Sequence, residues 1–367
     1  DLLDNIELIL NEKKITAKLM VVKGDGSLID SKTARYRPID TTMSGPAASC
    51  IGAAWLTGKK NAIIVDIGGT STDISFLDSG YPEVSKQGAR IGVWDTMVEA
   101  ISISTQGLGG DSEVTFEETN SSLEISLGPK RVVPISILTE RFPSVLNTLK
   151  KQSKFPFYSD TDCIFVWKKN ISEDLNWLSK IERITLEKLQ INEVSSLSEV
   201  APNQASYGAI SRLIKYNLIE ISGFTPTDAV HVLGIYNGFN TKAANLGALI
   251  ISKRKSKSGE IIFNSKEQFA KKVLDKLFEK SAISIFDFAT KKIFNNSNNN
   301  FLKNNLFCKY VFGQKEKLAK INLKLNTPLI SIGASAASYY PKIASLLNTK
   351  NITPKNFSVA GAVGAAV

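Results

Sequence analysis

The sequence predicts an α/β protein, and three observations carry that prediction. Residues 62–65, "AIIV", form a continuous apolar run of the kind buried on both faces of a sheet. A second strand run, "LISI" at 329–332, lies far downstream and is followed by a small-residue helical pattern. Small-residue helices, "SGPAASCIGAAWLTG" at 44–58 and "VAGAVGAAV" at 359–367, accompany the two runs and permit close backbone approach. The two ends of the chain therefore share one style, and the middle differs.

Composition frames this reading. The 367 residues suffice for two or three domains, and 43% apolar and 22% charged residues are ordinary for a soluble globular protein. The net charge of +10 comes from lysines spread along the chain, with one dense patch, "SKRKSKSG" at 252–259, read as a solvated face. No nucleic-acid reader motif accompanies it, so no nucleic-acid partner is expected. Cys50, Cys163 and Cys308 are far apart and form no CxxC pair, which suggests neither a disulfide framework nor a thiolate metal site. No apolar stretch reaches the roughly 18 residues of a membrane span. The charged start "DLLDNIELILNEKK" is not a signal peptide. A cytoplasmic protein without a membrane partner is expected. The chain opens on Asp1 inside an amphipathic helical pattern, so a preceding segment is expected too.

The elements follow in order. "AKLMVVKGDGSLI" at 17–29 is a strand run with a Gly-Asp-Gly turn that closes a hairpin. Ser44 or Gly45 caps the next helix, with Pro46 in its first turn. Alternation over 115–137 predicts a hairpin and a further strand, followed by the helix "SVLNTLKKQ". From residue 155 the pattern changes to a strand, "CIFVW", and short helices ending in "ASYGAISRLIKYNLIEIS", which resembles a small winged-helix insert. Arg212 and Lys215 are too few basic residues for a helix that must contact phosphates, so the insert is read as structural. Helical periodicity returns in 225–234, 241–255 and 265–294, and "FNNSNNNFLKNN" at 294–305 reads as a polar loop.

Chemistry concentrates in "NAIIVDIGGTSTDISFLDSG", residues 61–80. A strand ending in Asp66 turns through Gly68, Gly69 and Thr70 and returns through Thr72 and Asp73. Such a turn exposes several N–H groups in one direction, an anion nest, and glycines admit a phosphate close to the backbone. The hydroxyls of Thr70, Ser71 and Thr72 add donors, while Asp66 and Asp73 are placed to hold a hydrated Mg²⁺ or orient a water. An ordinary hairpin turn also carries Gly-Gly pairs, so the turn alone leaves both readings open. In "QGLGGDSEV" the glycines Gly107, Gly109 and Gly110 stand beside Asp111 and Ser112, either presenting a carboxylate to a cleft or forming a tight corner before a strand. In "GFTPTDAVHVLG", Thr225 and Asp228 fit a capping box with Pro226 at the first helical position. Asp228 and His231 also share a helical face, as a metal-binding or catalytic pair would. A single histidine supports no Ser-His-Asp arrangement, and no GxxxxGK[ST] loop is present.

The order of small-residue helix, apolar strand, "DIGGTSTD", "LISIGASAASYYP" and "AGAVGAAV" resembles the second lobe of the actin-like ATPase superfamily. In that resemblance residues 45–54 match its first connecting helix, 66–73 its second phosphate loop, 332–337 its adenosine turn and 360–367 its second connecting helix. "RPIDTTMSGPAAS", "VDIGGTSTDIS", "TQGLGGDSEV" and "GFTPTDAVHVLG" narrow the likeness to the hydantoinase A/oxoprolinase family, over most of the chain outside 155–204.

The resemblance implies an actin-like ATPase (ribonuclease H-like) lobe with a mainly helical inserted region: 1–135 and 325–367 form the lobe, 136–222 a mixed insert and 223–324 a helical region. It implies ATP-dependent opening of a cyclic amide, a hydantoin or 5-oxoproline, or in relatives the carboxylation of ketones. ATP and Mg²⁺ are the implied cofactors. Asp66, Asp73 and Asp111 would be catalytic, and Gly68, Gly69, Thr70, Ser71, Thr72, Gly109, Gly110, Ser112, Gly333 and Ala334 would face the nucleotide. Asp66, Asp228 and His231 would be metal ligands. The resemblance also implies a second phosphate loop, of which this sequence holds no copy, so a second subunit or an N-terminal lobe is an expected partner. Gln106 stands where a His is usual and Ser335 where a proline is usual. The alternative is a nucleotide-binding subunit or scaffold without turnover of its own.

Overall fold

The computed structural model describes residues 2–85, 88–91, 94–118, 123–170, 175–190, 193–293, 311 and 322–367, and the polar run expected at 294–305 lies outside them. The chain divides into two compact units, Asp1–Gln106 with Glu279–Val367, and Gly107–Phe278. Among the described residues no helix is long and apolar enough to cross a membrane.

The first unit opens with α1 (Leu2–Glu12), an amphipathic helix that buries none of its side chains fully. Arg35 pairs with its Asp4 and Glu7 at 3.0 and 2.8 Å. β1 (Met20–Val22) and β2 (Leu28–Asp30) form the expected hairpin, with Gly26 at φ +91° in the turn. The Asp30 side chain then caps α2 (Ser31–Tyr36). α3 (Ser44–Thr57) takes Met43, the residue before the expected Ser44 or Gly45, as its N-cap, at φ 67°, and no side chain caps the helix. One long hairpin and four short strands follow, as β3 (Ala62–Ile67), β4 (Thr72–Asp78), β5 (Tyr81–Pro82), β6 (Arg90–Ile91), β7 (Trp94–Asp95) and β8 (Ile103–Gln106).

The second unit begins with the hairpin of β9 (Ser112–Glu118) and β10 (Leu123–Arg131), then β11 (Val133–Pro134), α4 (Ile135–Arg141), α5 (Val145–Gln152) and β12 (Phe165–Lys168). α6 (Lys180–Glu187), β13 (Ser195–Ser196), α7 (Leu197–Val200), α8 (Gln204–Lys215), β14 (Ile219–Gly223), α9 (Pro226–Val232) and α10 (Thr241–Ser252) complete it. Its sheet runs β11-β14-β12-β13. Side chains such as Val166, Leu186, Leu197, Leu213 and Ile219 pack into one core. Capping boxes at Ser179, Ser196, Asn203 and Thr225 set the starts of α6 to α9.

Within the basic patch 252–259 Lys255 and Lys257 are exposed as its composition suggests, but Lys253 and Arg254 are half-buried. Lys253 Nζ donates to the carbonyls of Ser153 and Phe155, both at 2.6 Å. Arg254 pairs with Asp160 and lies 4.6 Å over the Phe116 ring, and Lys255 lies 5.8 Å over Phe157. These cations fasten the loop after α5 to the end of α10.

α11 (Lys266–Ile293) carries the chain back into the first unit, which ends in β15 (Leu329–Ile332), α12 (Ala336–Leu346), β16 (Asn351–Ile352) and α13 (Ala360–Ala366). The main sheet has the order β16-β15-β3-β4-β5, with β8 also on β4. β3 runs parallel to β15 and antiparallel to β4. Strand alternation sends Ala62, Ile64 and Asp66 to one face and Ile63, Val65 and Ile67 to the other. Ala62, Ile64, Ile330 and Ile332 share a core with Ala47, Cys50 and Ala53, so α3 covers the face that carries Asp66. α13 lies against α3 almost backbone to backbone. A Cβ on Gly52 would fall 2.9 Å from Gly364 N, and one on Gly364 2.6 Å from Gly52 N, which only glycine at both positions permits.

Candidate functional site

The first unit's candidate site is the carboxyl end of β3, where an apolar strand face turns acidic. Asp66 stands opposite Asp73 of β4, and Asp73 stands opposite Thr105 of β8. Side chains directly opposite in antiparallel strands have their Cβ atoms about 4.5–5.5 Å apart, so the two carboxylates face one another. Burial pushes the Asp66 carboxyl above the ordinary carboxylate range; the Ser49 hydroxyl acts against this and the charge of Asp73 adds to it. Burial raises Asp73 as well, opposed by the hydroxyl of Thr105, which donates to Asp73 Oδ1 at 2.6 Å.

The turn between the two strands is open. Within it the Gly68 amide donates to the Ser71 carbonyl at 3.0 Å, and the amides of Gly69, Thr70 and Ser71 have no backbone partner among the described residues. Neither Gly68 nor Gly69 adopts a positive φ. A Cβ on Gly68 would meet nothing nearer than 3.9 Å. The fold itself thus does not demand glycine at 68, whereas a ligand pressed against the backbone would. Thr70 is exposed and Ser71 half-buried, but Thr72 is only 2% exposed. Strand alternation places Thr72 on the opposite face from Asp73, and its hydroxyl acts on the buried Tyr340 phenol instead.

Gly333 sits beside this turn for a different reason. The parallel pairing aligns Ile332 with Asp66, so the chain leaves β15 where it also leaves β3. Gly333 adopts φ +90°, its amide donates to the Phe357 carbonyl at 3.1 Å, and a Cβ there would fall 2.5 Å from Asp66 Oδ1. Ala334 next to it is exposed, and α12 starts at Ala336. Ligands of α/β sheets gather outside the carboxyl ends of parallel strands, which is where Gly68, Gly69, Gly333 and Ala334 are brought together.

In the second unit the other expected site residues are engaged by the fold. Asp111 accepts from Arg131 Nε and Nη2 at 3.2 and 3.1 Å and from Thr227 Oγ1 at 3.4 Å. The Gly109 amide donates to Ser112 Oγ at 2.9 Å, and Gly110 O accepts from the Thr227 amide at 2.8 Å. This is the tight corner of the two readings, tying the start of β9 to the first turn of α9. Asp228 is fully buried, and burial raises its carboxyl against several donors. It accepts from the amides of Ile135 and Ser136 at 3.1 and 2.8 Å, and from the amide and hydroxyl of Thr225 at 3.0 and 3.1 Å. One carboxylate therefore caps its own helix and also α4, whose N-cap Pro134 offers no side-chain acceptor.

His231 uses both ring nitrogens. Nε2 accepts from the Phe239 amide at 3.0 Å, so Nδ1 carries the proton and donates to the Thr227 carbonyl at 2.6 Å. Its ring lies between Tyr236 and Phe239, with centroids 5.2 and 5.6 Å away. Among the described residues no three His, Cys, Asp or Glu side chains gather as a metal cage. Ser49 and Thr105 are the site residues sequence reasoning missed. Neither lies within the turn, and only strand register and helix placement bring them to it.

Residues 1–168 match the family model described as hydantoinase/oxoprolinase. Over that stretch the chain is similar to the hydantoinase/oxoprolinase family. The hydantoinase/oxoprolinase stretch includes Asp66, the open turn and Asp111, and ends before Asp228, His231 and Gly333. No curated protein matches the sequence. Among solved structures, nucleotide-free acetone carboxylase, described for ATP-dependent acetone carboxylation, is similar with a TM-score of 0.57 at 15% identity. The match covers 99% of this chain and 37% of that one. The likeness is one of fold, a mixed α/β architecture, and this chain spans well under half the length of that structure's chain.

Proposed function

We propose that the first unit binds the phosphates of ATP at the β3–β4 turn and serves an enzyme that opens a cyclic amide, such as a hydantoin or 5-oxoproline. The observation that carries the reading is the turn itself: the amides of Gly69, Thr70 and Ser71 lack backbone partners, beside two facing carboxylates. Those amides and the hydroxyls of Thr70 and Ser71 would hold phosphate oxygens. Asp66 and Asp73 would hold Mg²⁺, a hard cation that takes one or two carboxylates and keeps several waters. Gly333 and Ala334 would border the nucleoside. ATP, when bound, supplies the phosphoryl group that turns a poor leaving oxygen into a good one. The chain's own part is electrostatic: fixed N–H dipoles stabilise the charge that moves, and they need no reorganisation. No metal role is proposed for Asp228 or His231, whose acceptor and ring atoms are occupied.

A ketone carboxylase is the second reading, favoured by the fold shared with acetone carboxylase. Both readings use the same phosphate site and differ in the electrophile. Titrating this chain with Mg²⁺ and a non-hydrolysable ATP analogue, by calorimetry, tests what they share. Weak saturable binding, lost in Asp66→Ala, is expected, with negligible turnover because the sequence holds one phosphate loop. Equal binding by Asp66→Ala would remove the assignment. Assay of the natural full-length protein for ATP-dependent amide opening against bicarbonate-dependent ketone consumption separates the two chemistries.

A further inference from the structure

Thr105 and Ser49 both touch the site's carboxylates, and neither has a role in the reading above. β8 lies beyond β4 from β3, so one row across the sheet reads Asp66, Asp73, Thr105. Thr105 Oγ1 donates to Asp73 Oδ1 at 2.6 Å. At the other end of the row the Ser49 hydroxyl of α3 acts on the Asp66 carboxyl, opposing its upward shift. A Cβ on Gly361 would come within 3.1 Å of Ser49 Oγ, so α13 confines that hydroxyl from behind.

The arrangement has a physical logic. Two carboxylates set directly opposite repel each other, and each would rotate away if left alone. A single hydroxyl donor on each fixes its orientation and uses one of its roughly four acceptor sites, leaving the rest free for a ligand. Asp228, with four donors, shows what a carboxylate held only for structure looks like in this chain. Resting on the nucleotide reading, we propose that Thr105 is a positioning residue: its hydroxyl holds the Asp73 carboxylate so that, together with Asp66, it takes the divalent cation of a metal–nucleotide complex. Ser49 does the same for Asp66.

The test compares wild type, Thr105→Val, Thr105→Ser and Ser49→Ala, each titrated with Mn²⁺ alone by electron paramagnetic resonance and melted without ligand. Thr105→Val keeps the shape and β-branching of threonine and removes only the hydroxyl. It should keep the wild-type melting temperature and lose about tenfold or more in Mn²⁺ affinity, the usual effect of removing a group that orients a metal ligand. Thr105→Ser should bind as wild type does, and Ser49→Ala should weaken binding in the same direction as Thr105→Val. Wild-type Mn²⁺ affinity in Thr105→Val overturns the inference and leaves the nucleotide reading standing. A loss that Thr105→Ser shares, or a melting temperature far below wild type in Thr105→Val, marks a purely structural role and overturns it as well. A wild-type chain that binds neither Mn²⁺ nor the ATP analogue removes both.

Discussion

The two units each contain aspartates removed from bulk water, and they treat them in opposite ways. In the second unit Asp228 receives four donors from the starts of two helices, so its hydrogen-bonding capacity is filled by the fold alone. In the first unit Asp66 and Asp73 stand opposite each other and Asp73 accepts only the Thr105 hydroxyl among the hydrogen bonds described, beside amides without backbone partners. The first arrangement is complete and the second is not. A carboxylate that the fold satisfies is a cap, and a pair that the fold leaves with acceptor capacity to spare is where the proposed cation would bind.

The largest effect should come from the complete one. Asp228→Ala removes the acceptor for three buried amides and a hydroxyl, at roughly 1–3 kcal/mol for each buried group left unpaired. Thermal or denaturant unfolding should show the second unit losing most of its stability, while nucleotide binding by whatever remains folded is unaffected at Asp66. A mild shift would mean that water or other acceptors replace the carboxylate, and the contrast between the two units would fail. Gly333→Ala comes next. It forces a side chain into φ +90° and against Asp66, so it should cost about 1–3 kcal/mol and displace that carboxylate. Unlike Asp228→Ala, it should lower stability and nucleotide affinity together.

The third substitution should change sign. Folding raises the carboxyls of both Asp66 and Asp73 above the ordinary value of 3.8, so folding favours their protonated forms. The stability this gives is fully present below that value and is lost as pH rises through the folded-state values. At neutral pH the ionised pair is therefore a burden on the unliganded chain. Asp66→Asn should raise the melting temperature there, by the equivalent of about 0.5–2 kcal/mol, flatten the dependence on pH, and abolish stabilisation by added Mg²⁺. Scanning calorimetry across pH 4 to 8, roughly the span over which raised carboxyls titrate, checks all three. An Asp66→Asn chain less stable than wild type at neutral pH would make Asp66 a structural residue like Asp228.

Much of this contrast was legible in the sequence where the cause is local. The β3–β4 hairpin announces itself as an apolar strand, Asp-x-Gly-Gly and a returning strand, and the Thr225 box follows from residue spacing along one helix. The rest depends on partners far away in the chain. Asp228 also caps a helix 92 and 93 residues upstream, which no spacing rule reveals. Thr105 reaches Asp73 only because β8 pairs with β4 in one particular register. Lys253 and Arg254 looked solvated because their carbonyl and ring partners lie in a loop about a hundred residues earlier, a distance over which charge patterning carries no information. Met43 displaced Ser44 as the helix cap because the left-handed conformation falls on the residue before the serine.

The smallest effect on stability is the most informative about function. Gly68 and Gly333 both stand at the candidate site, yet only Gly333 is required by the backbone. Gly68 has an ordinary φ and free space where its Cβ would be, so Gly68→Ala should leave the melting temperature within about 0.5 kcal/mol of wild type. A glycine that folding does not need is explained if something must come closer to the chain than a methyl group allows. Gly68→Ala should then lose affinity for the Mg²⁺ complex of the ATP analogue, by tenfold or more if a phosphate contacts the backbone there. Mn²⁺ binding at Asp66 and Asp73 should persist, because the carboxylates are untouched. Unchanged analogue affinity in a stable Gly68→Ala chain would leave the turn as an ordinary hairpin, and the open amides would need another partner.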